Sequence, residues 1–210
     1  MKPDHRFAGF PSLLASAIVC TLSFLNIAEG QGTPQGKAGN NAVPPMVEQM
    51  AGTWNVQQRM WAGPGAKATE LPPAVARRRL VAGAFLEETM ELAPGSRQEP
   101  FTRIAYFNYN AVNQQYEYFS MDTRAPQMMN EKSHKTGVQG KAGNQREMPL
   151  YGGTFVAPQW GDMKNVAFKY RLGVGDVEKD RQVVRLYLTP QSGKSSKEFL
   201  AFEYVYTRQH

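Results

Sequence analysis

From Gly52 to the end of the chain, apolar and polar residues alternate with a period of two. In the first segment Trp54, Val56 and Met60 fall on one face, and polar residues fall on the other. This alternation is typical of a half-buried strand, whereas a helix has a period of 3.6. Further candidate strands lie at residues 76–81, 84–92, 101–110, 114–122, 151–157, 165–172, 182–189 and 198–208. The pattern predicts an all-β domain.

The links between these strands are short and contain turn residues, such as Ala-Pro-Gly-Ser at positions 93–96. Eight to ten strands joined in this way predict an antiparallel up-and-down β-barrel, because closure removes exposed strand edges. A short helical turn at residues 46–50 is the longest helix that the pattern supports. Residues 46–210 therefore form one predicted domain. Residues 31–45, rich in Gln, Gly, Asn and Pro, are predicted to be a disordered leader.

The beginning of the chain has the composition of a secretory signal. An apolar run at residues 7–28 follows Lys2 and Arg6, and it ends in small residues. A positive segment, an apolar segment and a small-residue exit are the three parts of such a signal. We expect cleavage before Gln31, which makes the first thirty residues a signal peptide. The predicted location is the periplasm of a bacterium or the medium outside it.

Cys20 is the one cysteine of the chain, and it lies inside the apolar run. Two alternatives to cleavage stay open. The run is just long enough for an uncleaved anchor across a bilayer of ~30 Å, and Cys20 could be lipidated, although Val19 precedes it instead of a small residue. After cleavage, disulfides and cysteine nucleophiles are excluded, and we expect no stable membrane insertion.

The composition and motifs argue against several classes of function. The formal charge of +6 favours weak attraction to anionic surfaces, but without a recognition motif it predicts no nucleic-acid partner. Gly-Lys-Ser at positions 193–195 imitates a phosphate-binding loop, yet Leu188 stands where that motif needs glycine. His134 and His210 are the only histidines after cleavage, too few for a multi-histidine metal site. We find no catalytic motif and predict no cofactor.

An arginine-rich strand and its neighbour predict charge pairs. A two-residue turn at positions 82–83 places Arg78 opposite Glu87. The same turn places Arg77 opposite Glu88, and a slip by one residue still pairs arginines with glutamates. Alternation then directs at least one arginine inward, where it needs a carboxylate beside it. The alternative is a row of solvated arginines on an edge strand.

A second pairing predicts aromatic contacts in the core. It joins the candidate strands 101–110 and 114–122, and it brings Phe107 near Tyr116 and Ala105 near Tyr118. The polar stretch after this pair, residues 123–147, shows no period, and we predict a mobile flap near a barrel mouth or a disordered loop.

Particular segments resemble a known family. Residues 46–54, which end in Gly-Thr-Trp, are similar to the opening of a calycin barrel of the lipocalin type. Residues 71–88 and 103–110, followed by Tyr-Glu-Tyr at 116–118 and by Asp122, resemble the bacterial domain-of-unknown-function family 1579. The resemblance implies a calycin-like barrel and an exported bacterial protein, and it implies no reaction.

Two residue roles follow from that resemblance alone. Lipocalin barrels often stack an arginine of the last strand on the motif tryptophan, which here would place Arg208 on Trp54. Haem-binding calycins use an axial histidine, for which His134 is the candidate, but their glycine-rich first strand is missing after Trp54.

The sequence leaves three hypotheses about function. The first is a barrel that binds a small, mostly apolar or amphipathic molecule, with an inward arginine orienting an acidic head group. The second is a filled barrel that serves as a structural or protein-interaction domain of the cell envelope, with Met128 and Met129 at its contact surface. The third is an enzyme that uses the arginine–glutamate pairs. The predicted ligand-binding residues of the first are Trp54, Met60, Arg78, Glu87, Tyr106, Tyr118, Phe168, Tyr170 and Tyr204.

Overall fold

The structure, a computed structural model, describes residues 43–135, 147–175, 177–191 and 197–210. The predicted signal peptide with Cys20, and the predicted leader up to residue 42, lie outside the described residues. Within the described ranges, no helix is long and apolar enough to cross a bilayer.

The described residues form one short helix and ten strands, which confirms the predicted barrel with its N-terminal helical turn. The strands close into an antiparallel barrel in which sequence neighbours pair and β1 also pairs with β10. The elements are α1 (Pro45–Gln49), β1 (Gly52–Trp61), β2 (Ala68–Val81), β3 (Phe85–Leu92), β4 (Thr102–Asn110), β5 (Gln115–Asp122), β6 (Ala125–Lys132), β7 (Glu147–Trp160), β8 (Met163–Gly175), β9 (Arg181–Pro190) and β10 (Phe199–Arg208).

Strand β6 corrects the prediction of a loop at residues 123–147. It occupies the first third of that stretch, and residues 136–146 lie outside the described residues. Glu131 and Ser133 are buried, whereas Asn130 and Lys132, which alternate with them, are exposed. The period of two is therefore present, but polar side chains occupy the inward positions and conceal it from a search for apolar residues.

Helix α1 closes one end of the barrel, which we call the base. The Trp54 ring is fully buried there, and its indole N–H donates to the Met50 carbonyl at 3.1 Å. The guanidinium carbon of Arg208 lies 4.1 Å from the Trp54 ring centroid, which confirms the predicted stacking. Arg208 also donates to the Ala51 carbonyl at 2.7 Å, so the last strand holds the helix against the base.

At the opposite end, the turn between β7 and β8 packs against the loop between β1 and β2. The indole N–H of Trp160 donates to the Trp61 carbonyl at 3.1 Å. Gly161 has a φ of +56°, and a Cβ added to it would lie 2.4 Å from the Ala62 carbonyl oxygen. Only glycine permits this approach, because the backbone of the facing loop has no freedom to move aside.

On the outside, an alternating series of charged side chains crosses from β2 to β7 and β8. Arg59 bridges Glu203 at 3.3 Å, and Arg185 bridges Glu203 at 2.8 Å and Glu147 at 3.3 Å. A Cβ added to Gly173 would lie 2.5 Å from the Glu147 carboxyl carbon, so this glycine makes room for the series. Single exposed pairs contribute little, but a connected network contributes more.

Candidate functional site

The turn between β2 and β3 determines which charges enter the barrel. Pairing resumes only at Val81 and Phe85, so three residues, 82–84, lie between the strands rather than the predicted two. Arg78 therefore pairs with Glu88, and Arg79 with Glu87. The predicted pairing of Arg78 with Glu87 is wrong by one residue. As a result Glu88, and not Glu87, faces the interior.

Glu88 and two arginines form a buried charge cluster inside the base. Arg78 donates through Nε to Glu88 Oε2 at 2.7 Å, and Arg103 of β4 donates to Glu88 Oε1. The exposed fraction is only 7 % for Arg78, 4 % for Glu88 and 5 % for Arg103. Burial alone would raise the pKa of Glu88, but the charges of Arg78 and Arg103 outweigh it and hold that pKa below its usual value. The cluster is therefore ionised, with one excess positive charge.

Aromatic rings and an amide complete the surroundings of both guanidinium groups. The guanidinium carbon of Arg78 lies 3.9 Å from the Tyr206 ring centroid, a cation–π contact, and Arg78 donates to the side-chain carbonyl of Gln182. Arg103 donates to the Tyr118 hydroxyl. Both guanidinium groups therefore already have hydrogen-bond partners within the barrel.

The space beside this cluster is small. A cavity lined by Arg78, Glu88, Phe107, Tyr118 and Val184, among others, has about 10 Å³ available to the centre of a water molecule. That is room for about one water. The base of the barrel is therefore filled by side chains.

The wall of the barrel is interrupted between β6 and β7. Among the described residues these strands pair at one position, Lys132 with Tyr151. Tyr170 of β8 closes this gap: its hydroxyl accepts the backbone N–H of Asn130 at 3.3 Å. Its ring lies so close to Gly152 of β7 that an added Cβ would be 2.0 Å from the ring atom Cε2. We call this region the β6–β7 gap. The Tyr170 side chain closes the gap in place of a ladder of backbone hydrogen bonds.

Glu131 lies on β6 beside the β6–β7 gap, and its side chain faces the interior. The residue is 0 % exposed, and neither carboxylate oxygen has a hydrogen-bond partner among the residues that the structure describes. Burial raises the pKa of Glu131 to about 8, and the charge of Arg103 opposes this only in part. Tyr118 stands directly across from it on β5. A buried acceptor without a donor is rare in folded proteins and indicates a function.

Sequence reasoning missed Glu131 because it assigned this segment to a loop. The usable signal was the alternation of residues 128–133, with Asn130 and Lys132 on one face and Glu131 and Ser133 on the other. Arg103 was missed because a charged residue is ordinarily expected on the outer face.

The structure places the nine predicted ligand-binding residues as follows. Two side chains lie on the outer face, contrary to the prediction: Glu87 and Tyr106, whose hydroxyl donates to Glu87 at 3.1 Å. Met60 is half-buried on β1. The others are buried: Trp54, Arg78, Tyr118, Phe168, Tyr170 and Tyr204.

Glu131 should make stability depend on pH in an unusual direction. The folded protein retains a proton up to a pKa of about 8, whereas the unfolded chain releases it near 4.5. Between these values the folded state binds more protons, so the free energy of unfolding falls as pH rises. We expect Glu131→Gln to abolish a slope of about 1.4 kcal/mol per pH unit. Urea denaturation at pH 6, 7 and 8 measures the slope.

The matched control is Glu70→Gln, since the Glu70 side chain is 73 % exposed. For this variant the free energy of unfolding should change with pH at the same slope as for the unchanged protein. If Glu131→Gln has that same slope, Glu131 does not retain its proton on folding.

Comparisons with known proteins give a family and a similar solved structure. The family model described as "Protein of unknown function (DUF1579)" matches residues 44–208. None of the curated proteins matches the chain. Among solved structures, the chain is similar to the crystal structure of Rv2717c from M. tuberculosis, with 14% identity and a TM-score of 0.48. That similarity covers 80% of this chain and 99% of the other.

Proposed function

Because the chain belongs to the DUF1579 family of proteins of unknown function, we propose a function from the barrel itself: an exported protein that binds a small, mostly apolar molecule. The molecule enters through the β6–β7 gap and reaches the interior beside Glu131. The observation that carries the proposal is a gap closed by Tyr170 next to a buried carboxylate that lacks a partner. Convergent polar groups within an apolar interior are typical of ligand sites.

The β6–β7 gap is the place where the barrel opens most easily. Every other neighbouring pair of strands is joined at six or more positions, whereas β6 and β7 are joined at one among the described residues. Local opening has the lowest free energy where few backbone hydrogen bonds must break. Rotation of the Tyr170 side chain breaks only the hydrogen bonds of its hydroxyl with the backbone of Asn130 and Gly153.

Aromatic side chains beside the gap suit an apolar ligand body. The Phe155 ring lies 5.8 Å from the Tyr170 ring and 5.8 Å from the Phe168 ring, measured between centroids. Trp160 lies 6.2 Å from Phe168, so the aromatic surface continues toward the end opposite the base. Such rings bury large areas and keep defined orientations.

Export is supported by the apolar run at residues 7–28 behind Lys2 and Arg6. Its test is the intact mass of the protein recovered from cells that produce it naturally. We expect a chain that begins at Gln31. A mass that includes the first thirty residues contradicts cleavage.

Ligand binding is tested by native mass spectrometry of the protein purified from its own source without denaturation. We expect a co-purifying small molecule that leaves on unfolding. Hydrogen exchange then compares loaded with emptied protein, and binding should protect residues 125–132 and 152–157. A protein without a bound mass, and without protection by any apolar probe, would refute the proposal.

A pair of tyrosine variants locates the entrance. Tyr170→Phe keeps the ring but removes the hydroxyl that accepts from Asn130. A hydrogen bond contributes about 1 kcal/mol, so we expect ligand release about fivefold faster by stopped-flow displacement. Tyr151→Phe is the control, because Tyr151 is exposed on the outer face of β7. Equal release rates for the two variants would place the entrance elsewhere.

A second candidate function is a filled barrel that binds another envelope protein. The one-water cavity at the base favours it. So do Met121 and Met128, which pair on the outer face of β5 and β6, where Met128 is 77 % exposed. In that case native mass spectrometry shows no small molecule, and cross-linking through residue 128 captures a protein.

A further inference from the structure

We infer that the ligand carries a protonated amine on its apolar body and that the ammonium group pairs with the Glu131 carboxylate. This inference rests on the proposed function, because it specifies the ligand of the same site. It concerns the head group alone.

The Glu131 side chain lacks a hydrogen-bond donor. Both of its oxygens are buried, and among the described residues neither receives a hydrogen bond. A buried acceptor of this kind requires a donor, and an ionised carboxylate requires a positive one. An ammonium group supplies three N–H donors and a full positive charge.

The buried arginines leave no place for an acidic head group. Arg78 already donates to Glu88 and Gln182, and Arg103 to Glu88 and Tyr118. None of the nitrogens of these two arginines is among the unpartnered buried atoms of the described residues. An acid would have to displace Glu88 from its partners, whereas an amine displaces no contact of Glu131.

Aromatic rings surround the Glu131 side chain. Tyr118 stands across from Glu131 on the neighbouring strand, and Tyr170 closes the adjacent gap. Ring faces attract a desolvated cation. The groups that act electrostatically on Glu131 or respond to it are Arg103 of β4, Tyr118 of β5 and Tyr170 of β8. Arg103 is the one cation among them, and it shares the Glu88 carboxylate with Arg78.

The proton balance of binding follows from this arrangement. The pKa of Glu131 in the free protein is about 8, so its carboxyl group is mostly protonated at pH 7. When the ammonium binds, the O–H bond of Glu131 breaks and its proton passes to solvent, while the amine retains its own proton. At pH 7 about 0.9 proton should be released per ligand. Affinity should rise about tenfold per pH unit below pH 8.

The test compares three probes of matched length: hexylamine, 1-hexanol and hexanoate. Each is titrated calorimetrically into the full-length chain at pH 7, in two buffers with different ionisation enthalpies. We expect hexylamine to bind at least tenfold more tightly than either of the others, with release of about 0.9 proton. Glu131→Gln should remove both the preference and the proton release, and Glu70→Gln should retain them.

The outcomes separate this inference from the proposed function. If hexanol or hexanoate binds as tightly as hexylamine and protects residues 125–132 from exchange, the amine inference is wrong and the binding function stands. If hexylamine binds without proton release, or equally well to Glu131→Gln, the pairing with Glu131 is wrong. If no probe binds, both proposals fail.

Discussion

Replacing Glu88 with glutamine should lower the free energy of unfolding by about 3–5 kcal/mol, or prevent folding. The change removes the single negative charge that Arg78 and Arg103 share in the base. Both arginines are almost completely buried, so neither can recover its interactions from water. Urea denaturation followed by tryptophan fluorescence measures the loss.

The matched control is Glu87→Gln on the outer face of the same strand. Its partner Arg79 is largely exposed, and exposed pairs contribute little to stability, so the loss should be small. A triple variant, Arg78→Met, Glu88→Leu and Arg103→Met, should be more stable than Glu88→Gln alone, because it buries no unpaired charge. Equal losses for Glu88→Gln and Glu87→Gln would show that the cluster is not electrostatically coupled.

The variant Gly152→Ala should displace the Tyr170 ring and open the β6–β7 gap. Three atoms of that ring would lie within 2.5 Å of the new Cβ, the closest at 2.0 Å. Overpacking of this kind costs about 3 kcal/mol when a ring must leave its position. We expect a loss of that size in urea denaturation. We also expect faster amide exchange at Asn130, which donates to the Tyr170 hydroxyl.

The neighbouring residue offers a control. An added Cβ at Gly153 meets no atom within 4 Å, so Gly153→Ala should leave stability and Asn130 exchange nearly unchanged. The double variant Gly152→Ala, Tyr170→Leu should recover part of the loss, because the smaller side chain relieves the overlap. If Gly152→Ala and Gly153→Ala have the same stability and the same rate of Asn130 exchange, Tyr170 does not close the β6–β7 gap.

Alternation was enough to predict the barrel, because apolar residues mark the inward face of most strands. It failed at β6, where Glu131 and Ser133 are the inward residues. It also could not choose a face for the run from Ile104 to Phe107, which is apolar at every position. Tyr106 was therefore assigned to the interior, although Ala105 and Phe107 are the residues that face it.

The candidate site was less predictable than the fold because it depends on register. One additional residue in the turn at 82–84 shifts the pairing of β2 with β3. As a result Glu88, instead of the predicted Glu87, faces the interior. The additional residue is Ala84, which lies outside the ladder, and nothing in its residue type indicates this in a sequence. The stacking of Arg208 on Trp54, which the family resemblance implies, does not depend on the register of this turn and is confirmed.

The pairing of the last strand with the first has a consequence for how the molecule forms. Arg208 donates to the Gln49 carbonyl at 2.6 Å, across 159 positions of sequence. A nascent chain in which β10 has not yet been synthesised leaves β1 and β9 without partners on one side, and such edges pair readily with other chains. Long-range contacts of this kind make folding slow, and in the interval before closure the unpaired edges are exposed to aggregation.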